Sequence, residues 1–228
     1  MAKNNKKEYD ISGMHCASCA LTVEKNIAKI SGVKKANVNF ATQKATIEGS
    51  VDDDKVVDVV KKSGYGAMPA GMDHSHEGIS RASEIKKERN LFILSLILSI
   101  PVFVLAMVLM DHSYQSRVIQ ALLAGVVQFY IGFRFYRGTF YALKNKTANM
   151  DTLIAMGTSA AYLYSLATTF VIKGDVFYET SALLITFVVF GKWLEARAKG
   201  KAGEAIKKLM GLKAKTARVV RDGKEEDI

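Results

Sequence analysis

Four apolar runs lie between Leu91 and Leu194, and their lengths constrain this chain more than any other feature. A helix rises about 1.5 Å per residue, so about 20 residues cross a hydrocarbon layer about 30 Å thick. Residues 91–110, 118–136, 150–172 and 178–194 meet or approach that length. The last run is slightly short and carries charges at one end. The series predicts an α-helical transmembrane block of four helices over residues 91–195. Residues before about Arg89 are mixed and polar, and those from Ala196 are again charged. The expected order is therefore a soluble module, a membrane block and a soluble continuation.

The formal net charge is +10, with 32 Lys and Arg against 22 Asp and Glu. These cations crowd the ends of the apolar runs and form no basic stripe interleaved with aromatics, which argues against a nucleic-acid partner. They act instead as topology determinants. Arg81, Lys86, Lys87 and Arg89 precede the first run; Arg134, Arg137, Lys144 and Lys146 lie between the second and third; Arg197, Lys199 and Lys201 follow the fourth. The other two loops carry Arg117 and Lys173 alone. The positive-inside rule then predicts an integral protein of the cell membrane with both termini in the cytosol. No secretory signal precedes the first long apolar run.

Residues 6–68 alternate strand and helix patterns. Glu8–Ser12 alternates as a strand, and Ala17–Ile30 sets Ala20, Val23, Ile27 and Ile30 at helical spacing. Val33–Phe40 and Lys44–Glu48 form a hairpin pattern across Ala-Thr-Gln. Asp52–Lys62 begins acidic and ends in lysines, as a helix dipole favours. Tyr65–Met68 closes the set. The order βαββαβ predicts an α+β ferredoxin-like domain over residues 1–70, followed by a linker and lead-in helix over residues 71–90.

Cys16 and Cys19, the chain's two cysteines, lie in Gly13-Met14-His15-Cys16-Ala17-Ser18-Cys19-Ala20, where the first strand meets the first helix. Two cysteines make neither a disulfide framework nor a four-sulfur zinc site. Thiols at a helix N-terminus in a reducing compartment stay available and ionise readily. Soft thiolates favour Cu(I), and a nearly linear pair of sulfurs suits that ion better than tetrahedral zinc. A redox pair is the competing chemistry, and two structural cysteines the plainest alternative.

The Gly-Met-x-Cys-x-x-Cys string in this βαββαβ setting resembles the heavy-metal-associated domain of copper chaperones and copper-transporting P-type ATPases. The resemblance implies Cys16 and Cys19 as metal ligands, Met14 as an inward anchor of the loop, and Tyr65 as a neighbour of the site. Zinc and cadmium relatives often have Asp where this chain has His15, so the resemblance leans to copper.

The strings Asn149-Met150-Asp151-Thr152-Leu153-Ile154-Ala155-Met156-Gly157, Tyr178-Glu179-Thr180-Ser181-Ala182 and Gly191-Lys192-Trp193-Leu194-Glu195-Ala196-Arg197 resemble the first two core helices of the same ATPases. The two preceding runs match that family's extra N-terminal pair. The resemblance implies that Met150 and Glu195 admit the ion at the cytosolic face and that Glu179 serves its exit. A thioether beside a carboxylate is reasonable chemistry for a transient Cu(I) site. Packing is the ordinary alternative for Met150 and Met156, pairing with Arg197 or Lys199 for Glu195, and a solvated loop end for Glu179. The family often bends its second helix at paired glycines to send a basic docking segment along the membrane. Here Gly132 follows Ile131, a departure that weighs against a sharp kink, although the basic residues persist. Met72-Asp73-His74-Ser75-His76 reads as a solvated linker rather than a weak metal site, and His112 supports no role.

Residues 196–228 resemble the start of an actuator domain, with a helix, a strand at Thr216–Val220 and a turn at Asp222-Gly223. The Thr-Gly-Glu, Cys-Pro-Cys and Asp-Lys-Thr-Gly-Thr motifs of the family are absent from these 228 residues, so this polypeptide alone is expected not to hydrolyse ATP. The reading is the N-terminal part of a Cu(I)-exporting P-type ATPase, with copper ion, a cytosolic copper chaperone and the lipid bilayer as partners. ATP and Mg2+ would act in the missing part. A membrane-tethered copper-binding protein without transport and a pump for Zn(II) or another divalent ion are the alternatives.

Overall fold

The computed structural model describes residues 6–14, 16–70, 75–110, 113–211, 218–221 and 224–227. Its first unit has strand β1 (Lys6–Ser12), helix α1 (Ala17–Ala28), strands β2 (Val33–Asn39) and β3 (Lys44–Gly49), helix α2 (Asp53–Lys62) and strand β4 (Gly66–Pro69). The sheet order is β2-β3-β1-β4, with every neighbouring pair antiparallel. This is the ferredoxin-like arrangement that the alternation predicts. Tyr9 and Ile11 of β1 and Ala45 and Ile47 of β3 point to one side and are buried with Val23 and Ile27 of α1 and Val56 and Val60 of α2. The β2–β3 turn is held by the Asn39 carboxamide oxygen, which accepts from the Ala41 and Thr42 amides at 2.9 and 3.1 Å.

Helix α2 is built as its charge order predicts: the Asp52 side chain accepts from the Asp54 amide, Asp53 and Asp54 occupy the first turn, and Lys61 and Lys62 the last. Asp53 also accepts from Lys7 Nζ and Tyr9 Oη, both at 2.7 Å, tying the helix to β1.

The second unit is helical. Helix α3 (Ser75–Phe103) runs into a π-helical turn at Val104–Val108. The segment expected as a linker and lead-in helix, residues 71–90, is thus helical from Ser75 onward. Residues 71–74, with most of the His/Met cluster, lie outside the described residues, as do His15 and His112. Helix α4 (Tyr114–Val126) continues through a second π-helical turn, Val127–Ile131, into helix α5 (Phe133–Lys144).

The break between α4 and α5 bends the path by 49°, so the helix kinks despite Ile131. The Gly132 amide donates to the Val127 carbonyl five residues back at 2.9 Å, and a wound-in extra residue of this kind is a recognised cause of kinks. A Cβ on Gly132 would collide with the Gln128 carbonyl. One glycine plus a π turn therefore makes this bend.

Helix α6 (Met150–Phe170) starts at a capping box formed by Asn149 and Thr152, and helix α7 (Tyr178–Gly211) follows. Beyond it, strands β5 (Arg218–Arg221) and β6 (Lys224–Asp227) pair antiparallel. The strand expected at Thr216–Val220 is thus displaced by a residue or two, and its turn at Asp222-Gly223 lies outside the described residues.

By length and composition, Ser83–Val108 is the one described helix apolar enough to cross a bilayer alone. Tyr114–Ile131 with Phe133–Lys144 passes only as a bent pair. Helices α6 and α7 carry too many polar residues for that measure, and the burial pattern shows where those residues go. Thr158, Ser165, Thr168, Ser181 and Thr186 are buried, whereas Leu153, Met156, Leu163, Phe170 and Phe187 are exposed. Polar residues line the inside of the bundle and large apolar ones its outside. Gln128 of the π turn is the hub of the interior: it donates to Tyr136 Oη at 2.5 Å and Thr158 Oγ1 at 3.0 Å, and accepts from Ser181 Oγ at 2.7 Å.

Candidate metal centre

Helix α1 opens without the usual cap. Cys16 occupies the N-cap position in an extended conformation, makes no capping hydrogen bond, and no acidic residue follows in the first turn. The positive end of the helix is thus left to the sulfurs. Cys16 Sγ lies 3.0 Å from Cys19 Sγ and 2.9 Å from Ser18 Oγ. Cys16 is half-buried and Cys19 is buried. Hydrogen bonding from Cys19 is the largest of several effects that pull the Cys16 thiol down to about 5, against the opposing effect of burial. Met14 is buried beneath the loop, in the same core as Cys19. Tyr65 packs beside the pair and is hydrogen-bonded to Cys19. Burial, then that bond, pushes the phenol above its ordinary range.

The loop does not face open solvent. The Met150 backbone amide, at the start of α6, hydrogen-bonds Cys16, and the Asp151 carboxylate lies close enough for its charge to act on both Tyr65 and Cys16. Three further contacts hold the soluble domain on the helices. Asn26 Nδ2 donates to Asn145 Oδ1 at 3.1 Å. Gly64, at φ +92°, has the Tyr141 ring where a side chain would project. The Lys199 ammonium sits 4.0 Å from the centre of the Phe40 ring. The structure therefore brings Cys16, Cys19, Met14 and Tyr65 together and adds the first turn of α6, with Met150 exposed there.

Glu195 is held between Lys192, at 3.0 Å, and Lys199, at 2.8 Å. One of its two expected alternative partners, Lys199, is thus present. Glu179 stands at the opposite end of α7 and is buried, not a solvated loop end. Its Oε1 accepts from Thr180, while Oε2 has no hydrogen-bond partner among the described residues. The fully buried Tyr178 beside it draws that first turn into the bundle. Sequence reasoning missed Asp151 as a neighbour of the thiols. It stands next to Met150 in the quoted string, but a first-turn acid is ordinary helix chemistry and gave no reason to single it out. Among the described residues, no three His, Cys, Asp or Glu side chains converge as one metal-binding group.

A βαββαβ sandwich with a Cys-x-x-Cys loop at an uncapped helix start defines a metal-handling domain, and residues 8–66 match the heavy-metal-associated domain family. The chain is 42% identical to a copper-exporting P-type ATPase of Bacillus subtilis (strain 168), over 98% of this chain and 30% of that protein. It is 40% identical to a probable copper-importing P-type ATPase A of Enterococcus hirae, over all of this chain and 33% of that protein. The N-terminal domain of a potential copper-translocating P-type ATPase from Bacillus subtilis, solved in the Cu(I)-loaded state, is 38% identical over 32% of this chain and 95% of its own, with a TM-score of 0.29. Residues 8–66 thus form a heavy-metal-associated domain, and the chain as a whole is similar to a portion of copper-transporting P-type ATPases. It spans about a third of the length of the curated relatives it matches.

Proposed function

We propose that this chain is the ion-receiving part of a Cu(I)-exporting P-type ATPase, in which Cys16 and Cys19 bind one cuprous ion as thiolates. The observation that carries this reading is the pair of sulfurs, 3.0 Å apart, at the bare positive end of α1. That spacing is a hydrogen bond between thiol and thiolate. A rotation of the half-exposed Cys16 opens it for a soft ion, which replaces the shared proton. Two soft donors satisfy Cu(I) and leave zinc short of its usual four ligands. Met14 anchors the loop from below and Tyr65 shields one side.

In this reading residues 1–70 form the metal-binding domain, residues 71–90 lead into the bilayer, residues 91–195 form a four-helix membrane block, and residues 196–228 begin an actuator domain. The inverted burial of α6 and α7 supports the membrane assignment, because a soluble bundle would expose its threonines and bury its phenylalanines. The basic clusters favour cytosolic termini. Met150 and Glu195 admit the ion at that face, and the buried Glu179 receives it at the other. Export is driven by ATP and Mg2+ in parts of the protein beyond these residues, and a cytosolic copper chaperone is the donor.

Anaerobic titration of the detergent-solubilised chain with Cu(I), against a chromophoric competitor, tests the ligand assignment. One Cu(I) per chain is expected, and none in Cys16→Ser/Cys19→Ser. Undiminished copper binding in that double variant, or zinc held more tightly than copper by the wild type, would refute the assignment.

A further inference from the structure

The contact between the soluble domain and α6 joins two kinds of sulfur. Cys16 accepts a hydrogen bond from the Met150 backbone amide, so the peptide of Met150 lies against the thiol. The Met150 thioether is four bonds from that nitrogen. Three rotatable bonds let it turn in nearly any direction, and with 37% of its surface exposed the residue is not locked in a core. The buried Asp151 carboxylate beside it supplies negative charge next to Cys16 and Tyr65. The Asn26–Asn145 hydrogen bond and the seat of Gly64 on Tyr141 fix the register of domain and helix.

We infer that the docked domain and α6 hold one soft monovalent ion between them, with Cys16, Cys19 and Met150 as three sulfur ligands. This rests on the assignment of the two cysteines as ligands. A thioether adds to the two-sulfur ion as a neutral third donor, and no electron moves. When the ion later leaves a thiolate for α6, that sulfur takes a proton from water. The shared site is thus a half-way state of ligand exchange inside one polypeptide. By linkage, an ion that binds the docked state more tightly also strengthens docking.

The test uses the whole 228-residue chain in detergent micelles, loaded anaerobically with one equivalent of Cu(I) and measured by copper-edge X-ray absorption. The wild type should show three sulfur neighbours. Met150→Leu, a swap close in volume and mild for packing, should show two while still binding one copper. Asn145→Arg, which breaks the docking contact from the other side, should also show two. Chain grown with selenomethionine supplies an independent readout: a copper–selenium distance is expected in wild type and absent in Met150→Leu. Two sulfur neighbours and no selenium in the wild type overturn the shared site. So does a selenium neighbour that survives Met150→Leu. In either case copper loss in Cys16→Ser/Cys19→Ser would leave the thiolate assignment standing. Copper retained by that double variant would instead remove the thiolate assignment and the shared site with it.

Discussion

Arg134 and Glu88 form a two-pronged ion pair, Nη1 to Oε2 at 2.7 Å and Nη2 to Oε1 at 2.9 Å, that ties the start of α5 to the N-terminal half of α3. Only 20% and 12% of the two side chains is exposed. Removing one partner of a largely buried pair strands the other charge, and Arg134→Ala should cost up to about 3 kcal/mol. Replacing both, as Arg134→Leu with Glu88→Leu, should recover most of that loss. Thermal unfolding in detergent reads the comparison, and equal losses in the single and double variants would contradict it.

Gln128 joins the π turn to α5, α6 and α7. Gln128→Ala leaves Ser181 Oγ and Tyr136 Oη short of a buried partner, at an expected cost of about 1–3 kcal/mol. Ser181→Ala removes one spoke instead of the hub and should cost less. The same unfolding measurement ranks the two.

The ionisation of Cys16 predicts a selective reaction. Alkylation by iodoacetamide should proceed at Cys16 well before the buried Cys19, with a midpoint near pH 5. Because Cys19 is the main stabiliser of the Cys16 thiolate, Cys19→Ala should move that midpoint upward. Peptide mapping of labelled chain across pH 4–9 measures both effects.

Asp53 has its carboxyl held below the ordinary carboxylate range by hydrogen bonds from Lys7 and then Tyr9. A depressed native pKa contributes stability that is complete above the unfolded value, about 3.9, and is lost as pH falls through the native one. Urea unfolding of the soluble domain should therefore show Asp53→Asn reducing stability at neutral pH. The variant and wild type should converge under strong acid. A constant gap across the whole range would contradict the linkage.

The soluble domain was legible because its signals are periodic. Tyr9 and Ile11 alternate on β1, Val23 and Ile27 lie one turn apart on α1, and both patterns point to the same core. The Cys-x-x-Cys loop was legible for a different reason, since its chemistry is carried by residue type and spacing alone. Less could be read of the bend at Gly132. It depends on where one amide finds its carbonyl, and Ile131 beside it disguises the position. The seat of the domain on α5 and α6 was not legible at all. Asn26, Gly64, Tyr141 and Asn145 share no period, and each is unremarked in its own segment. The polar faces of α6 and α7 were hard to read from hydropathy because Thr158, Ser165 and Thr186 turn inward and donate to the Ile154, Ala161 and Ala182 carbonyls one turn back in their own helices.

Since α3 is already helical at Ser75, only residues 70–74 separate it from the end of β4 at Pro69. A fully extended chain gains about 3.3–3.6 Å per residue, so this leash reaches at most roughly 20 Å. The thiol loop is thereby kept close to its perch on α6. A tether so short holds the domain at an effective concentration on the order of millimolar. Dilution cannot detach it, and a free copy of the same domain would have to be supplied at comparable strength to take its place.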